Sequence, residues 1–289
     1  MTRFVSGHRT ARLPGNRLHL NEGPSDLVIA AFGKPDEIAR AYAAAEAAFD
    51  GLLAELASEL PLLRQSLDHQ PPSLHGETAR RMARACWPHR SRFITPMAAV
   101  AGAVADTVLA AMLAAAPGLE RAYVNNGGDI AVHLTPGHTL DIGVVPSLAR
   151  ARPEGFLRLE AHHRVGGVAT SGWRGRSFSR GIADAVTVLA RSAAEADAAA
   201  TIIANAVDID DPAIVRKPAY ELDPDSDLKG LAVTVDVGPL APEAVAAALA
   251  NGVGVAQALL AEGLIEGALL ALAGEWRSVG GAAIPSLRA

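Results

Sequence analysis

The stretch from Ala122 to Val132, A-Y-V-N-N-G-G-D-I-A-V, constrains this chain more than any other. Residues that favour strands lead in through Tyr123 and Val124 and out through Ile130 and Val132. Between them Asn125, Asn126, Gly127, Gly128 and Asp129 favour positive φ and local side-chain hydrogen bonds, so the chain must reverse there. N-G-G-D is sufficient for an ordinary hairpin and needs no ligand. The same residues also suit a nest, in which glycine N–H groups face an anion while two Asn amides and a carboxylate flank it. Spacing alone leaves both readings open.

The rest of the chain supplies partners for that hairpin. Residues 16–22 alternate polar and apolar and 26–32 form an apolar run, with Gly23, Pro24 and Ser25 between them, the pattern of a second hairpin. From Pro35 to about Gln65 apolar residues recur three and four apart, which predicts one long amphipathic helix bent at Pro61. A short helix near 77–86 follows, and Thr95-Pro96 opens an alanine-rich helix. Residues 139–145 and 155–162 read as strands of a meander, 185–190 as a strand and 193–207 as a helix. A connecting stretch 208–230, a strand 231–237, a helix Pro242–Leu260 and a hairpin 264–279 complete the chain. This order predicts an α+β fold with helices packed on a largely antiparallel sheet. With no linker or short-period repeat, a single domain over residues 1–289 is the simplest division.

Half of the 289 residues are apolar, enough for a large core, and a net charge of -5 spread along the chain offers no footprint for nucleic acid or an anionic membrane. Cys86 is the sole cysteine, which excludes an internal disulfide and a thiolate zinc cage. The first fifteen residues carry charge without a following apolar run, so no secretory signal is expected and cytoplasm is the default. Residues 97–116 are long enough for a bilayer, but alanine dominates them, Asp106 interrupts them and no aromatic belt brackets them. A buried helix is expected there.

Several residue groups are suited to chemistry. Asp197 and Thr201, four apart in a helix, share one face and offer two hard oxygen donors, a sparse set that Mg²⁺ accepts when substrate phosphate completes its shell. Solvated or locally satisfied side chains explain the same spacing. Thr170 and Ser171 end a strand at a loop where residues 165–181 hold five glycines, three arginines and three serines. Arg174, Arg176 and Arg180 in that loop match phosphate oxygens, or form a merely solvated arginine loop. His162 and His163, adjacent in an expected strand, should point to opposite faces. Trp87, Trp173 and Trp276 read as core or interface anchors.

Taken in order, T-P-M-A-A-V-A-G-A-V-A-D, V-N-N-G-G-D-I, V-A-T-S-G, and then A-D-A-V-T-V followed by A-D-A-A-A-T resemble the ApbE-like superfamily over roughly residues 18–207. More narrowly they resemble a short, cytoplasmic branch of it whose function is uncharacterised. The resemblance implies two T-fold-like halves and the chemistry of FAD:protein FMN transferases, which split FAD with magnesium and pass FMN to a threonine. It implies Asp197 and Thr201 as metal and catalytic residues. It further implies flavin contacts from Asn125, Asn126, Gly127, Gly128, Asp129, Thr170, Ser171, Gly172, Ser177, Ser179, Met97 and Ala98.

The departures are specific. Ala101 stands where the transferases carry lysine and Ala103 where they carry tyrosine, and H-I-I-D-P-x-T-G is shortened to R-G-I-A-D with loss of its histidine. The expectation is therefore a binder of FAD or FMN with Mg²⁺, with transfer or diphosphate cleavage left open. Two alternatives stand beside it: an enzyme of coenzyme biosynthesis with a pterin or purine ligand, and a non-catalytic binding or assembly protein with a vestigial site. The alanine-rich helix surfaces are compatible with a homodimer.

Overall fold

The computed structural model describes residues 8–144 and 155–280. Its first part runs β1 (Arg9–Leu13), β2 (Arg17–Glu22), β3 (Ser25–Phe32), α1 (Pro35–Phe49), α2 (Leu52–Leu63), α3 (Glu77–Cys86), α4 (Val100–Ala115), β4 (Arg121–Asn126) and β5 (Asp129–Leu134). The hairpin β6 (Thr139–Val144) and β7 (Gly155–Glu160) follows. The second part runs β8 (Gly167–Ser171), β9 (Ala185–Ala190), α5 (Ala193–Ala206), β10 (Ile214–Pro218), α6 (Ala219–Leu222), β11 (Ala232–Val237), α7 (Pro242–Ala261), β12 (Gly267–Leu272) and β13 (Glu275–Gly280).

Nine strands form one antiparallel sheet in the order β1-β2-β3-β4-β5-β8-β9-β12-β13. Two four-stranded units repeat within it. In each, a hairpin, a helical layer and a second hairpin follow in sequence, as β2-β3 with β4-β5 and as β8-β9 with β12-β13. The units join through Ile130↔Val168 and Ala131↔Gly167. This is the two-half α+β plan expected from the sequence.

Strand alternation decides which residues meet the helices. Leu18, Leu20, Ile29, Val124, Val186, Val188 and Leu270 are buried on the helical face, against α1, α4, α5 and α7. Each such side chain contributes about 1.5–3 kcal/mol on leaving water. On the opposite face Ile142, Leu157 and Leu159 of the β6–β7 hairpin cover Val132, Val168, Leu189 and Leu269. Covered on both sides, β9 and β12 are buried at every residue, which explains why their sequences are apolar apart from Thr187.

Four sequence expectations need correction. The long helix breaks at Asp50-Gly51 and not at Pro61: Gly51 adopts φ 73, a left-handed conformation that ends α1, whereas Pro61 lies inside α2. The expected meander is interrupted, because among the described residues β6 and β7 pair only with each other and β5 passes directly to β8. The stretch 208–230 contains β10 and α6, and β10 pairs with β11 in a separate two-stranded sheet. His162 and His163 end β7 in a tight 3₁₀ turn and their rings lie 4.2 Å apart, so no pleat separates them. Among the described residues, two helices are long and apolar enough to cross a membrane, Pro96–Ala115 and Pro242–Ala261. The first is the expected buried helix, packed through Ala103, Val104, Val108 and Met112.

Candidate functional site

At one end of the sheet the turns after β2, β4 and β8 come together. Register places the β4–β5 turn beside the start of β3, since Leu27 pairs with Asn126. The main-chain N–H of Thr170 reaches the Asp129 carboxylate at 3.3 Å, which draws the end of β8 to the same place. Gly127 and Gly128 have φ of 66 and 117, so the two-residue turn needs glycine as the sequence indicates. The Asn125 side chain accepts from the Gly128 N–H at 2.8 Å and locks the turn.

Behind this turn α4 and α5 cap one another. From α4, Asp106 accepts the N–H groups of Ala193 at 3.0 Å and Ala194 at 2.9 Å, the first residues of α5. From α5, Asp197 accepts the Gly102 N–H at 3.0 Å in the first turn of α4. A carboxylate at a helix start satisfies donors that the helix itself leaves unpaired and meets the positive end of its dipole. The crossing is close: a Cβ on Gly102 would lie 2.2 Å from the Ala193 carbonyl oxygen. Gly167 permits the same approach on the sheet side, where a Cβ would lie 2.1 Å from the Ala193 nitrogen.

The two capping carboxylates differ in what stands beside them. Asp106 is sealed at 8% exposure. Asp197 is only partly buried, as is Asp129, which projects from β5 toward α5. Burial raises the Asp197 carboxyl well above its ordinary range, and the nearby Asp129 carboxylate raises it further. Burial pushes Asp129 up to about 7, against the lowering effect of the Thr170 N–H. Two carboxylates that repel each other in a poorly solvated space hold a proton or attract a cation. Thr201 stands one turn beyond Asp197 on the same helix face. Among the described residues no group of three His, Cys, Asp or Glu side chains could hold a metal ion, so no protein-only cage exists there. Two carboxylates and a hydroxyl instead fit a hard cation such as Mg²⁺ that retains waters and ligand oxygens.

The structure separates the other sequence candidates. Asn125 and Asn126 lie on opposite faces of β4, so they cannot flank one ligand together. Asn126 is buried and structural: its amide donates to the Ala101 carbonyl at 3.2 Å and its oxygen accepts the Asp26 N–H at 3.2 Å. The Thr170 hydroxyl bonds Thr187 across the ladder at 2.9 Å, on the face turned away from α5, whereas Ser171 lies on the α5 side and is partly exposed. Gly172 is required by packing, since a Cβ would lie 2.5 Å from the Asp184 carbonyl oxygen. Ser177 is exposed. Ser179 is buried, and its hydroxyl donates to Asn205 at 3.4 Å and accepts the Gly181 N–H at 3.3 Å. Met97 and Ala98 belong to a single turn, Pro96–Ala99, packed against the core beside Cys86. Burial, with Asp197 and Asp227 nearby, pushes the Cys86 thiol well up, so it stays protonated and unreactive.

Of the three loop arginines, Arg174 pairs with Asp184 at 2.8 Å and covers Trp173, and Arg176 reaches the Pro24 carbonyl at 3.4 Å. Arg180 alone opens into a cleft, with Arg92 and Arg216. Sequence reasoning missed Arg92, Arg216 and the capping role of Asp106. The signal for Asp106 was present: a lone carboxylate inside an apolar helix needs buried partners.

A family model described as AbpE bacteria matches residues 9–278. The chain belongs to the ApbE family. The chain is 39% identical over 145 residues to a UPF0280 protein of Methanopyrus kandleri, covering 50% of this chain and 55% of that protein. It is 43% identical over 118 residues to a UPF0280 protein of Methanothrix thermoacetophila, covering 39% of this chain and 46% of that one. The matched stretches span about half the length of these curated relatives. Among solved structures, the ApbE protein of Thermotoga maritima aligns over 94% of this chain and 96% of its own at 13% identity, with a TM-score of 0.41. The flavinyl transferase ApbE of Pseudomonas stutzeri aligns over 98% of both chains at 15% identity, with a TM-score of 0.41.

Proposed function

We propose that this ApbE-family protein binds a flavin nucleotide, FAD or FMN, together with Mg²⁺, between the Asn125–Asp129 turn and the Asp197/Thr201 face of α5. The observation that carries the reading is the pair of partly accessible carboxylates, Asp129 and Asp197, both held above their ordinary pKa. A divalent cation relieves their repulsion, and phosphate oxygens of the nucleotide complete its shell. Bound Mg²⁺ would polarise the phosphates; the protein residues hold it and orient the ligand. Asp129 and Asp197 supply the charge, Thr201 a neutral oxygen, and the main-chain groups of the glycine turn face the ligand.

Family membership supports the flavin, and the residue pattern narrows the chemistry. Ala101 offers its carbonyl to the Asn126 amide, and Ala103 is fully buried. Neither supplies the polar side chain found there in FMN transferases, and the loop Arg180–Asp184 has no histidine. The reading is therefore Mg²⁺-dependent binding, with cleavage at the diphosphate as the reaction class this arrangement suits, rather than FMN transfer to a threonine.

Flavin fluorescence on titration of purified protein with FAD in Mg²⁺ is the direct test. Saturable quenching in the micromolar range, weakened about tenfold or more by Asp197→Asn and by EDTA, is expected. Absence of binding at high micromolar FAD sinks the reading.

A further inference from the structure

We propose a second, metal-independent ligand site for a phosphate-bearing small molecule, in the cleft at the C-terminal end of α5. The cleft has a volume of about 430 Å³, within the range of small-molecule sites. Three arginines line it from three separate parts of the chain: Arg92 from the segment between α3 and α4, Arg180 from the loop before β9, and Arg216 from β10. The one carboxylate lining the cleft is Asp208, and Arg216 engages it. Arg92 and Arg180 have no carboxylate within ion-pairing distance among the described residues, and although Asp208 also attracts Arg180 and lies near Asp210, the residues lining the cleft sum to two positive charges in a chain whose net charge is -5.

Local structure fixes the polar wall. The Asn205 oxygen accepts the Arg180 main-chain N–H at 2.8 Å and the Ser179 hydroxyl at 3.4 Å. That sets the amide orientation and leaves its NH₂ without a protein partner among the described residues. Phe93 and Ile202 give the cleft an apolar side, which fits an organic body attached to the anion. Planar guanidinium forks match phosphate oxygens, and two of them with an amide donor suit a dianion.

The negative end of the α5 dipole also attracts cations, and that offers a purely structural reason for a nearby arginine. It does not account for this set. The C-cap carbonyl of Val207 already accepts the Ile182 N–H at 2.8 Å, and Asp208 already attracts Arg216. The cleft is also distinct from the carboxylate pair. Asn205 lies eight residues along α5 from Asp197, about 12 Å at the helical rise, and the two places have opposite charge.

Isothermal titration of the full chain with inorganic pyrophosphate, at low salt and in EDTA, tests the proposal. We expect saturable one-to-one binding, weakened about tenfold or more by Arg92→Gln and by Arg180→Gln, largely kept by Arg92→Lys, and unchanged by Asp197→Asn. Arg92 is exposed, so its variants retain the fold and the result stays interpretable if Arg180→Gln does not. Three results overturn the site: no saturable heat, binding that Arg92→Gln leaves unchanged, or binding that requires Mg²⁺ and disappears in Asp197→Asn. Failure of FAD and Mg²⁺ to bind leaves this prediction standing, because its readout contains neither.

Discussion

Asp106 and Asp197 perform the same local task. Each extends from one helix of the α4–α5 pair and takes main-chain N–H groups at the start of the other. Burial raises the carboxyl of both. Asp106 accepts with both oxygens and is closed off from solvent, while Asp197 remains partly open with Asp129 repelling it. The difference teaches that a capping carboxylate becomes a candidate ligand site when a second carboxylate and solvent share its pocket. Hydrogen bonds to the helix start do not distinguish the two.

The strongest way to break this comparison is to separate the helices. Gly102→Val places a Cβ 2.2 Å from the Ala193 carbonyl, against backbone that cannot yield cheaply. A loss of about 3–5 kcal/mol is expected, large enough that urea denaturation should show little folded protein. Both caps fail together in that variant. A native-like midpoint would mean that the α4–α5 crossing is looser than described.

Asp106→Ala breaks only the sealed side. Two buried N–H groups, of Ala193 and Ala194, lose their acceptor, which costs about 2–4 kcal/mol. Asp106→Asn should recover only part of this, since an amide accepts through one oxygen. Urea midpoints of the two variants rank them, and equal midpoints would remove the bidentate cap from the account.

These contrasts also show what the sequence made legible. Period-2 and helical spacing located most elements of the main sheet and its helical layer, because their apolar faces must meet one core. They did not distinguish which hairpin enters the main sheet: 139–144 and 155–160 alternate as well as any strand, but they cover its far face. Pro61 attracted the helix break that Gly51 makes, because proline costs one hydrogen bond near a helix end while a left-handed glycine redirects the chain. At the site, the spacing of four put Asp197 and Thr201 on one face of α5, while their metal role was implied by the family resemblance and not by the spacing. The Asp129–Asp197 neighbourhood was not readable, since it spans sixty-eight positions and depends on β5 and α5 packing together. Nor was the separation of Asn125 from Asn126, which follows from the pleat once the strand is known to extend through both.

A smaller effect sharpens the open side of the comparison. In the unfolded chain Asp129 ionises near 3.8, whereas in the folded chain it holds its proton to about 7. The folded state therefore binds more protons between those values, and this contribution to stability is full below pH 4 and is lost as pH rises through 7. Thermal melts of the metal-free protein should fall relative to Asp129→Asn across that window. Mg²⁺ should reverse the loss above pH 7, with affinity rising by up to about tenfold per pH unit below it as the cation displaces a proton. Metal affinity independent of pH between 5 and 7 would separate the cation from these carboxylates.

The smallest expected change is the most discriminating. Asp197→Asn keeps an oxygen for the Gly102 N–H, so the start of α4 stays capped, and it removes the charge that Asp129 opposes. The lost charge–dipole attraction and the relieved repulsion act in opposite directions, and each is worth about 1 kcal/mol. Stability at pH 8 should therefore change by less than about 1 kcal/mol, while Mg²⁺ and FAD affinity fall about tenfold or more. The corresponding Asp106→Asn substitution should reverse that pattern, with stability lost and ligand binding retained in the protein that remains folded. If Asp197→Asn instead costs as much stability as Asp106→Asn, both carboxylates are architecture, and the opening beside Asp197 is a packing gap between β5 and α5.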